Sequence, residues 1–239
     1  MIDIDLLARE AQKLSIELSP ETLEKFDAYA NLLVETNKSM NLTAITDPEG
    51  IVYKHFIDSL TALSSLPKGH VSLVDVGSGA GFPGIPLLLA RPDLEVTVLD
   101  SLEKRLRFIE TLCDTLGLKV KTVHARAEEA GQDPLYREQY DVAIARAVAY
   151  LPVLCEWCIP LIKPDGFFIS MKGSSGLDET DKSQRAIKIL GGQQKSFQSF
   201  NLQTSTETYE KRSILVVGKI ESTPEKYPRT NGKIKKQPL

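Results

Sequence analysis

One turn in this sequence has the residue types needed to hold a nucleotide-containing cofactor. Gly77-Ser-Gly-Ala-Gly-Phe-Pro-Gly84 follows a short apolar run and opens an apolar helix. Glycine lets a ligand approach the backbone closely, and the start of a helix offers unpaired N–H groups. Nicotinamide enzymes, flavoproteins and methyltransferases all use such a turn, so the turn alone does not choose among them.

Three details around this turn favour S-adenosylmethionine over NAD as the cofactor. A dinucleotide fingerprint beginning at Gly77 requires glycine at the position of Phe82. Asp75 lies inside the preceding strand, where a carboxylate suits the cationic methionine end of S-adenosylmethionine. Asp100 closes the next strand, where a carboxylate can accept hydrogen bonds from ribose hydroxyls. The stretch Leu161-Ile-Lys-Pro-Asp-Gly166 also resembles a turn found widely in class I methyltransferases. An NAD-dependent oxidoreductase remains the weaker alternative.

The elements that must position these residues alternate between short apolar runs and helices. This alternation predicts a parallel sheet covered by helices on both faces. Two later runs have no helix between them and predict an antiparallel pair at one edge. The fold class is therefore α/β, a Rossmann-like, mostly parallel seven-stranded sheet. Its strands are predicted at 71–76, 94–99, 120–124, 141–145, 166–171, 197–202 and 213–217.

The chain divides into three predicted regions. Residues 1–66 form a helical extension, in which Ser19-Pro20 marks a helix start. Residues 67–220 form the methyltransferase domain, and 221–239 a basic, loosely ordered tail. From residue 219 onward there are six basic and two acidic side chains. Such a tail could contact phosphates, although a solvated terminus is equally consistent with its charge.

Composition argues against several protein classes. None of the apolar runs reaches the length of a membrane span, and acids near the N-terminus do not fit a secretory signal. The three cysteines indicate a reducing compartment, so a cytoplasmic protein is expected. Cys155-Glu-Trp-Cys158 could be a redox pair or half of a zinc site. Core packing is the favoured reading because no second cysteine pair accompanies it, and no metal site is predicted.

Other candidate residues follow strands or lie on predicted helices. Arg126-Ala-Glu-Glu129 follows the third strand, where class I enzymes bracket the adenine, although a charged helix start has the same pattern. Arg146 follows the fourth strand at the edge where open α/β sheets bind ligands, and a surface arginine is its alternative. His55 lies on a helical pattern, where a structural histidine is commoner than a catalytic one.

The residues after the fourth strand narrow the reaction. Methylation of an exocyclic amine usually goes with an Asn/Asp-Pro-Pro-aromatic turn, and here that turn reads Ala145-Arg-Ala-Val-Ala149. Methylation of pyrimidine C5 needs a cysteine nucleophile, and Cys155 and Cys158 fall within a predicted helix. Guanine N7 carries a free lone pair, so its methylation needs alignment but no general base. A small molecule or a protein remains open as substrate.

Several blocks together closely resemble the bacterial small-subunit rRNA guanine-N7 methyltransferase family (RsmG, formerly GidB). The resemblance runs from about residue 20 to the C-terminus, with the blocks in the family's order. They are Asn41-Leu-Thr-Ala-Ile45, Lys54-His-Phe-Ile-Asp-Ser59, Gly77–Gly84, Arg126-Ala-Glu128, Ala145-Arg-Ala-Val148, Met171-Lys-Gly173 and Thr223-Pro-Glu-Lys-Tyr-Pro-Arg229. The tail departs from the family at Thr230-Asn-Gly232, where a more basic or proline-rich stretch is expected.

This resemblance implies methylation of N7 of one guanine, at position 527, in the decoding-region loop of 16S rRNA. The implied cofactor is S-adenosyl-L-methionine, and the implied partner is 16S rRNA or the small ribosomal subunit. A monomer without membrane association is expected. A noncatalytic protein that keeps the fold for ribosome or membrane association is the remaining alternative. The implied cofactor-binding residues are Gly77, Gly79, Phe82, Asp100, Ser101, Ala127, Glu128 and Arg146, and the implied substrate-binding residues are Asn41, His55, Lys172 and Arg229.

Overall fold

Seven strands form one mixed sheet in the computed structural model, which describes residues 1–146, 148–205 and 207–239. The strand order is β3-β2-β1-β4-β5-β7-β6. Strands β1 to β5 are parallel, and β7 lies antiparallel between β5 and β6. The predicted fold class is confirmed. The strands are β1 Val71–Val76, β2 Leu94–Asp100, β3 Lys121–His124, β4 Tyr140–Arg146, β5 Ile162–Lys172, β6 Gly192–Gln203 and β7 Tyr209–Lys219.

Alternate side chains of the central strands supply two separate cores. Leu73 and Ile144 face a core shared with the N-terminal helices, while Val74 and Ala143 face a core on the other side of the sheet. Because successive side chains point to opposite faces, a strand covered on both sides must be apolar at nearly every position. This is why four of the six residues of β1 are apolar.

The first two helices begin directly after capping residues. Asp3 accepts a hydrogen bond from Leu6 N, and Ser19 accepts one from Thr22 N, so each of these helices has one of its free N–H groups paired. The α-helices are α1 Ile4–Lys13, α2 Pro20–Met40, α3 Pro48–Gly50, α4 Asp58–Leu60, α5 Gly84–Ala90, α6 Glu103–Leu116, α7 Ala127–Ala130, α8 Leu151–Cys158, α9 Gly176–Ile189 and α10 Asn231–Lys236.

A π-helix, Ile51–Ile57, joins α3 to α4 within the predicted helical extension. Its wider turn bonds each N–H to the carbonyl five residues back, a geometry that is rare and frequent at functional sites. The apolar pattern of a π-helix differs too little from that of an α-helix to be recognised. The π-helix matters for the site because it carries His55.

Other boundaries differ at the second half of the sheet. The helix predicted around Cys155 ends at Cys158, and a 3₁₀ turn containing Pro160 leads into a longer β5 than predicted. The last two strands, β6 and β7, also extend beyond their predicted bounds, mainly through exposed residues at 193–195 and 209–211. Cys155 and Cys158 are fully buried free thiols in α8, which confirms the core-packing interpretation.

The tail after Ile220 is ordered, and the prediction of a loose tail was wrong. Tyr227 and Ile234 are buried in the second core. Arg137 donates hydrogen bonds to the carbonyl oxygens of Thr223 and Tyr227. A polar, basic composition concealed these anchors because their partners lie far away in the sequence. Among the helices of the described ranges, none combines the length and apolarity needed to cross a membrane.

Candidate cofactor and substrate site

Two adjoining cavities open at the carboxyl ends of the parallel strands. The larger has a volume of about 710 Å³ and the smaller about 150 Å³. Gly77, Arg105 and Val148 line both, so the two cavities are neighbouring parts of one site. Open α/β sheets bind ligands at this edge. Ala147 of the Ala145-Arg-Ala-Val148 block lies outside the described residues.

The glycine turn is held from below by the sheet. Asp75 Oδ2 accepts hydrogen bonds from Ser78 Oγ at 2.7 Å and from Gly84 N at 2.8 Å. Asp75 is fully buried, and this burial raises its pKa to about 6. The sequence suggested that Asp75 lies at the methionine end of a cofactor. Asp75 lines neither cavity, and its hydrogen bonds instead position the glycine turn. Gly77 must be glycine, because its φ is +72° and a Cβ there would lie 2.8 Å from Val148 Cγ1.

From above, the glycine turn is held by the N-terminal helices. Tyr29 of α2 donates a hydrogen bond to the carbonyl of Ala80, and its ring stacks on Phe82 at 5.3 Å between centroids. On Phe82 the His55 ring also stacks, at 4.4 Å. Stacked aromatic pairs contribute about 0.5–1.5 kcal/mol beyond their buried area. The helical extension therefore forms part of the site.

The smaller cavity gathers the residues predicted at the ends of β2 and β3. Asp100, Ser101, Ala127 and Glu128 all line it. The Asp100 carboxylate is oriented by three donors: Gly79 N at 3.1 Å, Leu102 N at 2.9 Å and Arg105 Nη1 at 3.3 Å. The parallel strands end at one edge beside the glycine turn, and this brings these side chains together.

In the larger cavity, Arg146 joins the π-helix to the sheet. Its guanidinium donates to the carbonyl oxygens of Lys54 and His55 and to Asp58 Oδ2 at 3.0 Å. Asp58 Oδ1 accepts a second bond, from Arg212 Nε of β7 at 3.1 Å. One carboxylate therefore fixes two arginines that come from different strands. The Arg146 guanidinium also lies 5.0 Å from the centre of the Phe82 ring.

His55 is a neutral imidazole in this setting. Burial, with Arg146 close by, lowers its pKa to about 3. Its Nε2 lies 2.8 Å from Thr43 Oγ1, which belongs to the loop after α2. The side chain lines the larger cavity, so its neutrality is a property of the site. At pH 7 it brings no positive charge to a bound ligand.

The four predicted substrate residues do not share one surface. His55 and Lys172 line the larger cavity, but the Lys172 ammonium is paired with Glu179 at 2.8 Å and with the carbonyl of Ala149. Asn41 is exposed and ends α2 in a left-handed conformation, outside both cavities. Arg229 also lines neither cavity: its guanidinium forms a two-bond pair with buried Glu156.

Sequence reasoning missed other residues of the site. Asp58 and Arg212 were not singled out, although Asp58 falls within a block quoted for the resemblance. Trp157, Asn231 and Lys235 line the smaller cavity from α8 and α10. Glu156 offered a signal for the tail, because a single acid in an otherwise apolar helix requires a partner.

Comparison with known proteins decides the family. The family model described as rRNA small subunit methyltransferase G matches residues 22–209. The chain belongs to this family. A curated member from Acetivibrio thermocellus is 49% identical over 98% of this chain and 96% of its own length. Another member, from Desulfitobacterium hafniense, is 50% identical over 98% of this chain and 97% of its own length. Both are named ribosomal RNA small subunit methyltransferase G.

Solved structures agree with this family's fold. A S-adenosylmethionine-dependent O-methyltransferase from Thermotoga maritima superposes with a TM-score of 0.52, covering 81% of this chain and 73% of its own. Its sequence identity is 15%, so the likeness concerns the fold alone. Membership of a methyltransferase family with this fold supports S-adenosylmethionine as the cofactor, as the sequence predicted.

Proposed function

We propose that this protein transfers a methyl group from S-adenosylmethionine to N7 of one guanine of 16S rRNA in the small ribosomal subunit. The observation that carries the proposal is the pair of adjoining cavities, which share the Gly77 turn. The smaller is bounded by carboxylates suited to an adenosine, and the larger is wide enough for a base beside it. The family of rRNA methyltransferases supplies the substrate class. The cytoplasm, where ribosomes assemble, is the proposed location, and the active form is proposed to be a monomer.

The residues present fit the proposed cofactor. Gly79 has a φ of +63°, and a Cβ there would meet no atom within 4 Å, so bare backbone faces the site. The proposed cofactor residues are Gly77, Gly79, Phe82, Asp100, Ser101, Ala127, Glu128 and Arg146. When bound, S-adenosylmethionine supplies an electrophilic methyl carbon.

In this proposal Asp100 accepts hydrogen bonds from the ribose hydroxyls, because the backbone N–H groups of Gly79 and Leu102 hold its carboxylate at the cavity wall. Arg146 holds the π-helix against the glycine turn and so sets the distance between the two cavities. Its guanidinium is largely buried, with a side chain that is 12% exposed. Loss of this side chain is expected to weaken both cofactor binding and the fold.

The chemistry of the larger cavity suits a nucleophile that is already unprotonated. Guanine N7 loses no proton when it is methylated, so no general base is required. The purine becomes cationic, and a neutral His55 adds no repulsion to that charge. A cysteine-dependent mechanism is disfavoured. Cys155 and Cys158 are fully buried, and burial raises the pKa of Cys155 to about 12.

The decisive experiment is methyl transfer in vitro, with labelled S-adenosylmethionine and either naked 16S rRNA or small subunits. Label is expected in one guanine that becomes alkali-labile and is mapped by strand scission. D100N is expected to lose transfer, while D178N, the same change at an exposed helix position, keeps the wild-type rate. Methyl on an exocyclic amine, a ribose or a protein would refute the substrate. The noncatalytic alternative predicts no heat when the protein is titrated with S-adenosylhomocysteine.

A further inference from the structure

The short C-terminal helix α10 forms one wall of the smaller cavity. Asn231 and Lys235 of α10 line this cavity together with Trp157 of α8. The Lys235 ammonium lies 5.8 Å from the centre of the Trp157 ring, so the two helices meet at the cavity. The strand-end residues Asp100 and Glu128 line the same cavity. The tail thus shares this cavity with the residues proposed to bind the cofactor.

The position of α10 is built by specific contacts. Arg229 Nε and Nη2 donate to the two oxygens of Glu156, at 2.8 and 2.7 Å. Glu156 of α8 is fully buried, and so is Ile234 of α10. Gln132 Nε2 donates to the carbonyl of Pro228 at 2.8 Å. A paired buried carboxylate and an apolar anchor hold the tail against the cavity.

Two polar atoms of this wall are buried and lack a hydrogen-bond partner among the residues that the structure describes. One is a donor, Nε1 of Trp157, and the other an acceptor, Oδ1 of Asn231. Buried polar atoms are nearly always paired, because leaving one unpaired costs about 1–3 kcal/mol. Because Trp157 and Asn231 line the same small cavity, a ligand bound there that offers one acceptor and one donor would satisfy both atoms. Adenine does so, with an exocyclic amine and ring nitrogens.

We propose that α10 is the adenine-recognition element of the cofactor site. The inference rests on the proposed function and assigns two side chains to it. Asn231 Oδ1 accepts a hydrogen bond from the exocyclic amine of adenine, and Trp157 Nε1 donates one to a ring nitrogen. The basic tail then serves cofactor selection, and the Arg229–Glu156 pair holds it in place.

The test compares two ligands by calorimetry, S-adenosylhomocysteine and S-inosylhomocysteine, in which a carbonyl replaces the amine. The wild-type protein is expected to bind the adenosyl ligand roughly tenfold or more tightly, since the inosyl carbonyl opposes the Asn231 oxygen. N231L is expected to weaken adenosyl binding by about tenfold and to abolish the preference. N231D offers only acceptors and keeps the preference.

Two further variants separate recognition from folding. W157F keeps an aromatic ring but lacks the N–H donor, and its affinity for the adenosyl ligand is expected to be roughly fivefold or more lower. K236L changes an exposed position of the same helix and should leave both affinities unchanged. Because Trp157 is the only tryptophan, its fluorescence reports binding directly in every variant except W157F.

The outcomes distinguish this inference from the function on which it rests. If the wild-type protein binds neither ligand, both this inference and the proposed function are refuted. If it binds the adenosyl ligand but shows no preference over the inosyl ligand, or if N231L keeps the preference, the assignment of Asn231 is overturned and the proposed function stands. A purely structural role for α10 would weaken both ligands equally in N231L and leave their ratio unchanged.

Discussion

Replacing Asp58 by asparagine tests whether one carboxylate organises the larger cavity. Asp58 accepts hydrogen bonds from Arg146 at 3.0 Å and Arg212 at 3.1 Å, and its side chain is only 10% exposed. Charge-assisted bonds are worth about 1.5–3 kcal/mol each, and a neutral amide oxygen keeps about 1 kcal/mol of one of them. The expected loss in the free energy of unfolding is therefore roughly 2–5 kcal/mol, or on the order of 10 °C in Tm for a chain of this size.

The assay is urea unfolding followed by the fluorescence of Trp157, which lies on the opposite side of the sheet from Asp58. D178N is the matched control, because Asp178 pairs with Lys182 on the exposed face of α9 and its loss should be within error of wild type. A double-mutant cycle with R212Q should give a coupling energy of at least about 1 kcal/mol. If D58N unfolds at the wild-type urea concentration, the reasoning that this carboxylate fixes both arginines is refuted.

Three further predictions concern buried titratable groups. Because the folded pKa of His55 is lowered to about 3 while the unfolded chain titrates near 6.5, the wild-type protein should lose about 2 kcal/mol relative to H55Q between pH 7 and 5; parallel urea curves would contradict this. Asp75 has the opposite sign, since its folded pKa is raised to about 6: between pH 7 and 5 the wild-type protein should gain about 1 kcal/mol relative to D75N, and an equal pH dependence of the two would count against it. The thiols of Cys113, Cys155 and Cys158 are buried and their pKa values are raised, so a thiol reagent at pH 8 should react only slowly with the native protein. In urea the same reagent should react rapidly with all three thiols. Rapid reaction of the native protein would show that the helices open.

The parts of the site that sequence analysis located are those determined by local pattern. A glycine turn between a strand and a helix, and acids at strand ends, are visible as short motifs, and parallel strands must bring them to one edge. Asp100 and Glu128 were found in this way. Their position beside the smaller cavity follows from chain topology alone. The assignment of each to a cofactor atom stays a prediction.

What sequence analysis missed depends on contacts between distant segments. Asp58 lies 154 residues before Arg212, and the hydrogen bond between them cannot be read from either neighbourhood. The π-helix leaves no distinct apolar period, so the carbonyls that it presents to Arg146 were unforeseen. The family resemblance implied that Arg229 binds the substrate. Its partner is instead Glu156, whose apolar neighbours hid the need for a cation.

The N-terminal helices and the sheet hold the glycine turn from opposite sides. Asp75 holds the turn through Ser78 and Gly84, while Tyr29 holds it through Ala80 and through the ring of Phe82. A transfer that relies on alignment and not on a base depends on such rigidity, because small displacements of the reacting atoms lower the rate steeply. In the proposed function the extension therefore acts by positioning the glycine turn, even where none of its side chains reacts.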